Sequence, residues 1–526
     1  MTTTRAVWLF LAVLTVVRLT LIGTSELAFD EAHYWMWSER LAPAYFSKGP
    51  GVAYFIWSSV ALFGPSEFGV RFWSPVVAAG TSLLLYYFAR RLFSDVTGFW
   101  LVIAMNCVPI FNVGGFVMTT DPLSVFFWTA AMFAFWLALE RSPEFSWWWP
   151  FTGLLIGLGF LCKYTNALQL VSVAAVLLLV PRFRREFRKP GLYALLAVFV
   201  ICTLPPIIWN SNRMWTTVSH LQHRGALNEP FGIRPLELLS FLGMHFAVYS
   251  PLLFLALAWA VIASWRRAHQ QFKGIYLLWF GVPVFAFYFI LSTNHASNAN
   301  WDALAFFSLA VLAASYWRER IESRPHLFRW ATAAFVIGLL LSIFALNTDV
   351  LHAVGIHVSR KDPADRTRGW RNATAAIEQL RGEVEAQLGQ PVFMIADERA
   401  RASELAFYFR DKRVEGPDHP PVYIIESQDI MNQFSFWPRY DEFVPGPANA
   451  ERGSGSGDVY TEEGGINPFE GRTAIYVQNS NKQAPRNITQ AFASTEPFRT
   501  VEVRRHGRLV RTLYLFICKN YRPLPL

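Results

Sequence analysis

Gly51-Val52-Ala53-Tyr54-Phe55-Ile56-Trp57-Ser58-Ser59-Val60-Ala61-Leu62-Phe63 is the stretch on which the reading of this chain turns. It is apolar throughout, yet as a helix it reaches only about 20 Å, short of the roughly 30 Å hydrocarbon layer of a bilayer. Tyr54 and Trp57 are side chains favoured at the membrane surface, so the segment reads as interfacial or re-entrant. Counting it as a crossing would turn every later loop to the opposite side.

Outward from it, longer apolar runs follow one another to about residue 347. Candidate spans centre on 6–24, 70–88, 98–118, 121–139, 148–164, 166–181, 191–209, 236–260, 274–291, 301–316 and 330–347, about eleven transmembrane helices. With 53% hydrophobic and only 16% charged residues over 526 positions, the chain is too apolar for a soluble multidomain protein. Residues 6–24 follow a single basic residue, with no small-x-small cleavage site before Asp30, and read as a retained first helix.

Charge bias sets the orientation. With the N-terminus inside, the inner connections collect Arg5, Arg90, Arg91, Arg141, the cluster from Arg182 to Lys189, Arg266, Arg267, Lys273, and Arg318 to Arg329. The longer outer connections hold only Arg40, Lys48, Arg71, Lys163, Arg213, Arg224 and Arg234. Basic residues favour the cytoplasmic side, so the expectation is N-in with the C-terminal part periplasmic. The net charge of +9 is thereby accounted for by topology, and nucleic-acid binding is not indicated.

From about 348 the sequence has mixed charge and short strand and helix patterns. Helices are expected at Trp370–Leu388 and Ala400–Phe409, and strands at Val392–Ala396, Val422–Glu426 and Thr473–Gln478. A final strand pair, Arg499–Arg505 and Leu509–Cys518, turns at His506-Gly507, and Gly453–Gly457 reads as a loop. The expected division is therefore an all-α membrane domain over 1–347 and a soluble α/β domain over 348–526. Cys107, Cys162 and Cys202 fall in spans and only Cys518 lies beyond them, so neither a disulfide framework nor a thiolate metal site is suggested.

Once the loops have sides, the conspicuous polar residues gather on the outer one. The first outer loop begins Phe29-Asp30-Glu31-Ala32-His33-Tyr34-Trp35-Met36-Trp37, where Asp30 opens what reads as an amphipathic, aromatic-rich helix lying on the membrane, and goes on through Tyr45-Phe46-Ser47-Lys48-Gly49-Pro50. Asp30, and Asp121 in Thr119-Thr120-Asp121-Pro122, each fit a helix N-cap, and each is also an acid beside hydrocarbon, where acids are functional candidates. Lys48 and Lys163 can hold a phosphate as point charges or simply reach toward the interface. His220, His223 and Arg224 follow in the 210–234 loop, and His295 and Asn300-Trp301 in the next outer connection; each pattern also suits a solvated loop.

These parts suit sugar transfer from a lipid phosphate. No Walker or GxGxxG pattern is present for a nucleotide. A carboxylate can take the acceptor proton or stabilise oxocarbenium charge, while cations hold a phosphate that departs without needing a proton.

At Asp30–Pro50 the sequence resembles the signature of the protein-mannosyltransferase and aminoarabinose-to-lipid-A transferase superfamily, which shares the GT-C membrane fold. The resemblance continues through Thr120-Asp121, Leu161–Tyr164, Pro205–Trp215, Asn300-Trp301, Gly369-Trp370, Ala396–Tyr408 and Asn432–Trp437. It implies an inverting glycosyltransferase of a bacterial inner membrane that uses a polyprenyl-phosphate sugar, with lipid A or another envelope glycan as acceptor. It further implies that Asp30 is the catalytic carboxylate, Asp121 a second essential acid and Lys48 a ligand of the donor phosphate. Lys163 and Arg224 are further phosphate candidates, and Glu31, His33, Tyr45, His220 and Asn300 candidate substrate contacts.

Three positions depart from that pattern. Ser47 stands where the lipid A enzymes carry a metal-site Glu, His33 replaces an Arg, and Gly51 replaces a Leu or Ile. A divalent metal thus stays open, and Gly51 puts the shape of the donor groove in question. The rival readings are a protein O-mannosyltransferase and a lipid or sugar transporter. The latter is disfavoured because charges inside the spans are scarce, Arg18 being the clearest.

Overall fold

A computed structural model describes residues 2–225, 227–228, 230–295, 297–349, 362–441, 467–505 and 507–524. The expected Gly453–Gly457 loop and His506 lie outside the described residues. The chain forms two compact units: Met1–Gly23 with Lys48–Trp209 and Thr217–Arg360, and Thr24–Ser47 with Asn210–Thr216 and Lys361–Leu526. The single cut expected at 347/348 thus differs from the discontinuous division observed.

Among the described residues, seven helices are long and apolar enough to cross a membrane, or eight if the bent pair Tyr164–Leu179 and Pro181–Arg188 counts as one. Gly51–Phe63 is a 13-residue helix, too short for a crossing, with Tyr54, Trp57 and Leu62 exposed along it. The expected spans 98–118 and 236–260 are each broken at a proline. Pro109 ends the Asp95–Cys107 helix and starts Pro109–Gly114, and Pro251 leaves Ser250 at φ 69° between Pro235–Tyr249 and Pro251–Ala268. The first break is bridged by buried Arg18, whose Nη2 donates to Asn106 Oδ1 at 3.1 Å and Asn112 Oδ1 at 2.9 Å.

The Thr120–Glu140 helix runs through the middle of the first unit, buried on most of its surface. Its 21 residues span about 31 Å, one hydrocarbon thickness. Glu140 at its far end pairs with Arg91 at 2.6 Å, so Asp121 and this ion pair stand at opposite ends of the helix.

The second unit carries a five-stranded sheet of order β2-β1-β3-β5-β4, where β1 is Phe393–Ala396, β2 Tyr423–Ile424, β3 Ala474–Gln478, β4 Phe492–Arg505 and β5 Arg508–Tyr521. The first three strands run parallel, and the β4–β5 hairpin joins antiparallel through β5. β1 and β3 are buried on both faces, so they read as continuous apolar runs. β4 starts seven residues before the expected Arg499, because Pro497 is tolerated on an edge strand, where a bulge follows it.

The loop 24–47 packs into this unit. Its aromatic residues, which suggested an interfacial helix, are core residues: Trp35 meets Phe407 edge-on at 5.0 Å, and Trp37 stacks on Tyr45 at 4.3 Å. Glu26 accepts the Trp370 N–H at 2.6 Å and so caps the Trp370–Leu388 helix, while the Arg511 guanidinium lies 3.6 Å over the Trp370 ring.

Burial pushes the Glu426 carboxyl up to about 7, with nearby Asp441 adding to the shift and Tyr521 and Arg439 opposing it. Folded protein therefore holds this proton at pH values where the unfolded chain, near 4.5, has lost it. The stabilisation is full below about 4.5 and is lost as pH rises through about 7. Glu426→Gln should remove this dependence and raise stability at pH 8 by up to about 3 kcal/mol. Thermal melts of full-length protein in detergent at pH 5 and pH 8 check it. An equal effect of the substitution at both pH values would contradict the assignment.

Candidate active site

The Thr120–Glu140 helix is capped by Thr119, whose hydroxyl accepts the Asp121 N–H at 3.3 Å. Asp121 is thus not the cap that its Asp-Pro context suggested, and its carboxylate is used elsewhere. Lys163 Nζ donates to Asp121 Oδ1 at 2.7 Å, and Asn300 Nδ2 donates to Asp121 Oδ2 at 2.7 Å. Lys163 also donates to the Asn300 carbonyl at 3.2 Å, closing a three-residue ring. Lys48 Nζ donates to Thr120 Oγ1 at 3.3 Å and adds its charge to the field at Asp121.

Two glycines bring these lysines together. A Cβ on Gly49 would stand 2.2 Å from the Leu161 carbonyl, and one on Gly51 2.5 Å from Cys162 Sγ. The Lys48–Gly51 turn is thereby seated on the Leu161–Lys163 segment, and the departure at Gly51 has a local reason: Cys162 fills the space a branched side chain would take. Two ammonium groups thus stand near the N-terminus of the Thr120–Glu140 helix, whose dipole adds to their positive charge. Such a place suits an anion.

Asp121 also lines a cavity of about 190 Å³ whose other walls are mainly apolar, among them Phe111, Val125, Leu253 and Phe306. Tyr249 lines it and donates to the Ala299 carbonyl at 3.3 Å. An apolar cavity with the Asp121–Lys163–Asn300 cluster at its edge matches a ligand with a charged head and a hydrocarbon body. Arg224 lies with its guanidinium 5.2 Å from the Trp301 ring centroid, one residue from Asn300, and His220 is half-buried on the same Thr216–Arg224 helix.

Sequence reasoning missed His245 and Asp302. His245 Nε2 stands 2.9 Å from Asp302 Oδ2, and its Nδ1 2.8 Å from the Phe241 carbonyl, all buried. The signal available was a histidine inside an otherwise apolar span.

In the second unit, Asp30 is the second residue of the Phe29–Ser38 helix, preceded by Ala28 as its cap, and is half-buried. The cap reading therefore fails here too, since Glu31 Oε2 accepts the Ala28 N–H at 2.9 Å. Glu31, His33 and Tyr45 are buried and engaged in packing. His33 Nδ1 pairs with Ser403 Oγ at 3.0 Å and stacks on Phe434, while the Tyr45 hydroxyl donates to the Trp37 carbonyl at 2.9 Å. Among the described residues no group of three His, Cys, Asp or Glu side chains is arranged to hold a metal ion.

The family described as dolichyl-phosphate-mannose-protein mannosyltransferase matches residues 47–209. Over 286 residues the chain is 29% identical to lipid A galacturonosyltransferase RgtD of Rhizobium johnstonii, covering 54% of this chain and 59% of that protein. It is 28% identical over 278 residues to the undecaprenyl phosphate-alpha-4-amino-4-deoxy-L-arabinose arabinosyl transferase of Erwinia tasmaniensis, covering 48% and 46%. The chain thus spans about half the length of the curated relatives it matches. Among solved structures, ArnT from Cupriavidus metallidurans aligns over 98% of both chains. The TM-score is 0.56 at 16% identity in the apo state, and 0.58 at 17% identity when bound to undecaprenyl phosphate. The chain has the GT-C fold, as the resemblance implied.

Proposed function

We propose that this chain is a polytopic glycosyltransferase that moves a monosaccharide from a polyprenyl-phosphate donor to lipid A or another cell-envelope glycan. The observation that carries the reading is the Asp121–Lys163–Asn300 ring with Lys48, set at the edge of an apolar cavity. It offers cationic charge for a phosphate and apolar surface for a prenyl chain. The names of the relatives, a lipid A galacturonosyltransferase and undecaprenyl-phosphate aminoarabinose transferases, point to the same donor and acceptor classes. In this reading Asp30 takes the acceptor proton or stabilises oxocarbenium charge, Lys48, Lys163 and Arg224 hold the departing phosphate, and transfer inverts the sugar.

The proposed setting is a bacterial inner membrane with N-terminus cytoplasmic and the sheet unit periplasmic. Periplasmic-side labelling of an Arg185→Cys variant would overturn that orientation. The test of function is transfer by detergent-purified protein from a polyprenyl-phosphate sugar to lipid A, read by mass spectrometry. Because the matched family is named for protein mannosylation, peptide acceptors form the second arm.

Lys48 is the assay's sharpest probe. Lys48→Ala should lower kcat/KM for the lipid donor by about 10- to 100-fold, and Lys48→Arg should recover part of it, since charge is retained while shape is not. Unchanged donor kinetics in Lys48→Ala would remove Lys48 from the phosphate site.

A further inference from the structure

His245 and Asp302 hold each other in a dry place. The imidazole is fully buried among Phe241, Phe254, Phe285 and Phe306 and stacks on Tyr249, with ring centroids 5.4 Å apart. Both of its nitrogens face acceptors: Nδ1 the Phe241 carbonyl at 2.8 Å, Nε2 the Asp302 carboxyl at 2.9 Å. The first contact is a hydrogen bond only if Nδ1 carries its proton. The second then requires a proton between Nε2 and Oδ2, whichever atom owns it. The pair is therefore net neutral, and an unpaired charge is avoided in an aromatic cage where it would be costly.

Asp302 stands at the start of the Ala303–Ser323 helix, yet its side chain makes no capping bond there. Two residues earlier is Asn300, which touches Asp121 with its amide and Lys163 with its carbonyl. The same turn is held a second time by Tyr249, whose hydroxyl donates to the Ala299 carbonyl. Tyr249 lies one helical turn after His245, so a single helix face grips residues 299 and 302 and leaves Asn300 between the two grips.

We propose that His245 and Asp302 are positioning residues: a proton-sharing neutral pair that fixes the 299–302 turn, so that Asn300 keeps Asp121 and Lys163 in register. The proposal rests on the reading of the Asp121 cluster as part of a sugar-transfer site. Displacing catalytic groups by about 1 Å commonly costs on the order of 100-fold in rate, so a partial loosening of the turn should be visible.

The experiment is a double-mutant cycle on the full-length protein, with folding followed by thermal stability. His245→Gln should lower kcat/KM for a polyprenyl-phosphate sugar about 10-fold in the otherwise native chain, and less than about 2-fold in an Asn300→Ala background, because coupled residues are non-additive. Asp302→Asn keeps a neutral, hydrogen-bonded pair by donating to Nε2, and should stay within about 5-fold of native activity. It is the variant read if His245→Gln does not accumulate. Equal losses from His245→Gln in both backgrounds, or a folded but inactive Asp302→Asn, would overturn the proposal. Labelling of Asp121 by a water-soluble carbodiimide, read by peptide mass spectrometry, needs no substrate and should quicken about 3-fold in His245→Gln. Absence of transfer by native protein would sink the functional reading, whereas unchanged labelling would sink this one.

Discussion

Asp30→Asn should purify with thermal stability close to that of the native protein and lose at least about 100-fold in sugar transfer. The stability half follows from the helix start: Glu31, not Asp30, accepts the Ala28 N–H, and the buried part of Phe29–Ser38 runs from Glu31 to Ser38, after Asp30. Losing an acid from the first turn costs about 0.3–1 kcal/mol of dipole interaction and no cap. The activity half follows from the proposed role, since an amide can neither take a proton nor offset oxocarbenium charge. Transfer from a purified polyprenyl-phosphate sugar, with melting recorded on the same preparations, decides it. Near-normal turnover by the folded Asn variant would take catalysis away from Asp30.

The membrane class and the order of elements after residue 362 were legible because they depend on local pattern. Long apolar runs and alternating strands announce themselves within twenty residues. What pairs across distance did not. Lys163 and Asn300 reach Asp121 from 42 and 179 residues away, and nothing in the Asp121-Pro122 context distinguishes a cap from an ion-pair partner. The loop 24–47 misled for a different reason: Trp35, Trp37 and Tyr45 are the same side chains whether they mark a membrane interface or fill a protein core. The breaks at Pro109 and Pro251 were written in the sequence, but hydropathy runs straight through both prolines and hides the change of backbone. His245 was hidden by its setting, since one imidazole among phenylalanines does not alter an apolar run.

Asp121→Asn should be as damaging to activity as the change at Asp30, and unlike it should also cost stability. The native carboxylate accepts from Lys163 on one oxygen and from Asn300 on the other. An asparagine has one acceptor oxygen, so its amide must face either the Lys163 ammonium or the Asn300 amide, donor against donor. Lys163 also loses its paired carboxylate beside an apolar cavity, where screening is weak. The expected result is a kcat/KM lower by at least about 100-fold and a stability loss of about 1–3 kcal/mol. Adding Lys163→Met relieves both the donor clash and the excess charge, so the double variant should regain stability. If the cluster serves transfer, that variant stays inactive, because the ammonium that would meet the phosphate has been removed with the carboxylate that aims it. If the cluster only holds the helices together, activity returns with stability. Kinetics and melts of the two single variants and the double variant separate these outcomes, and recovered turnover in the double variant would place the chemistry away from Asp121.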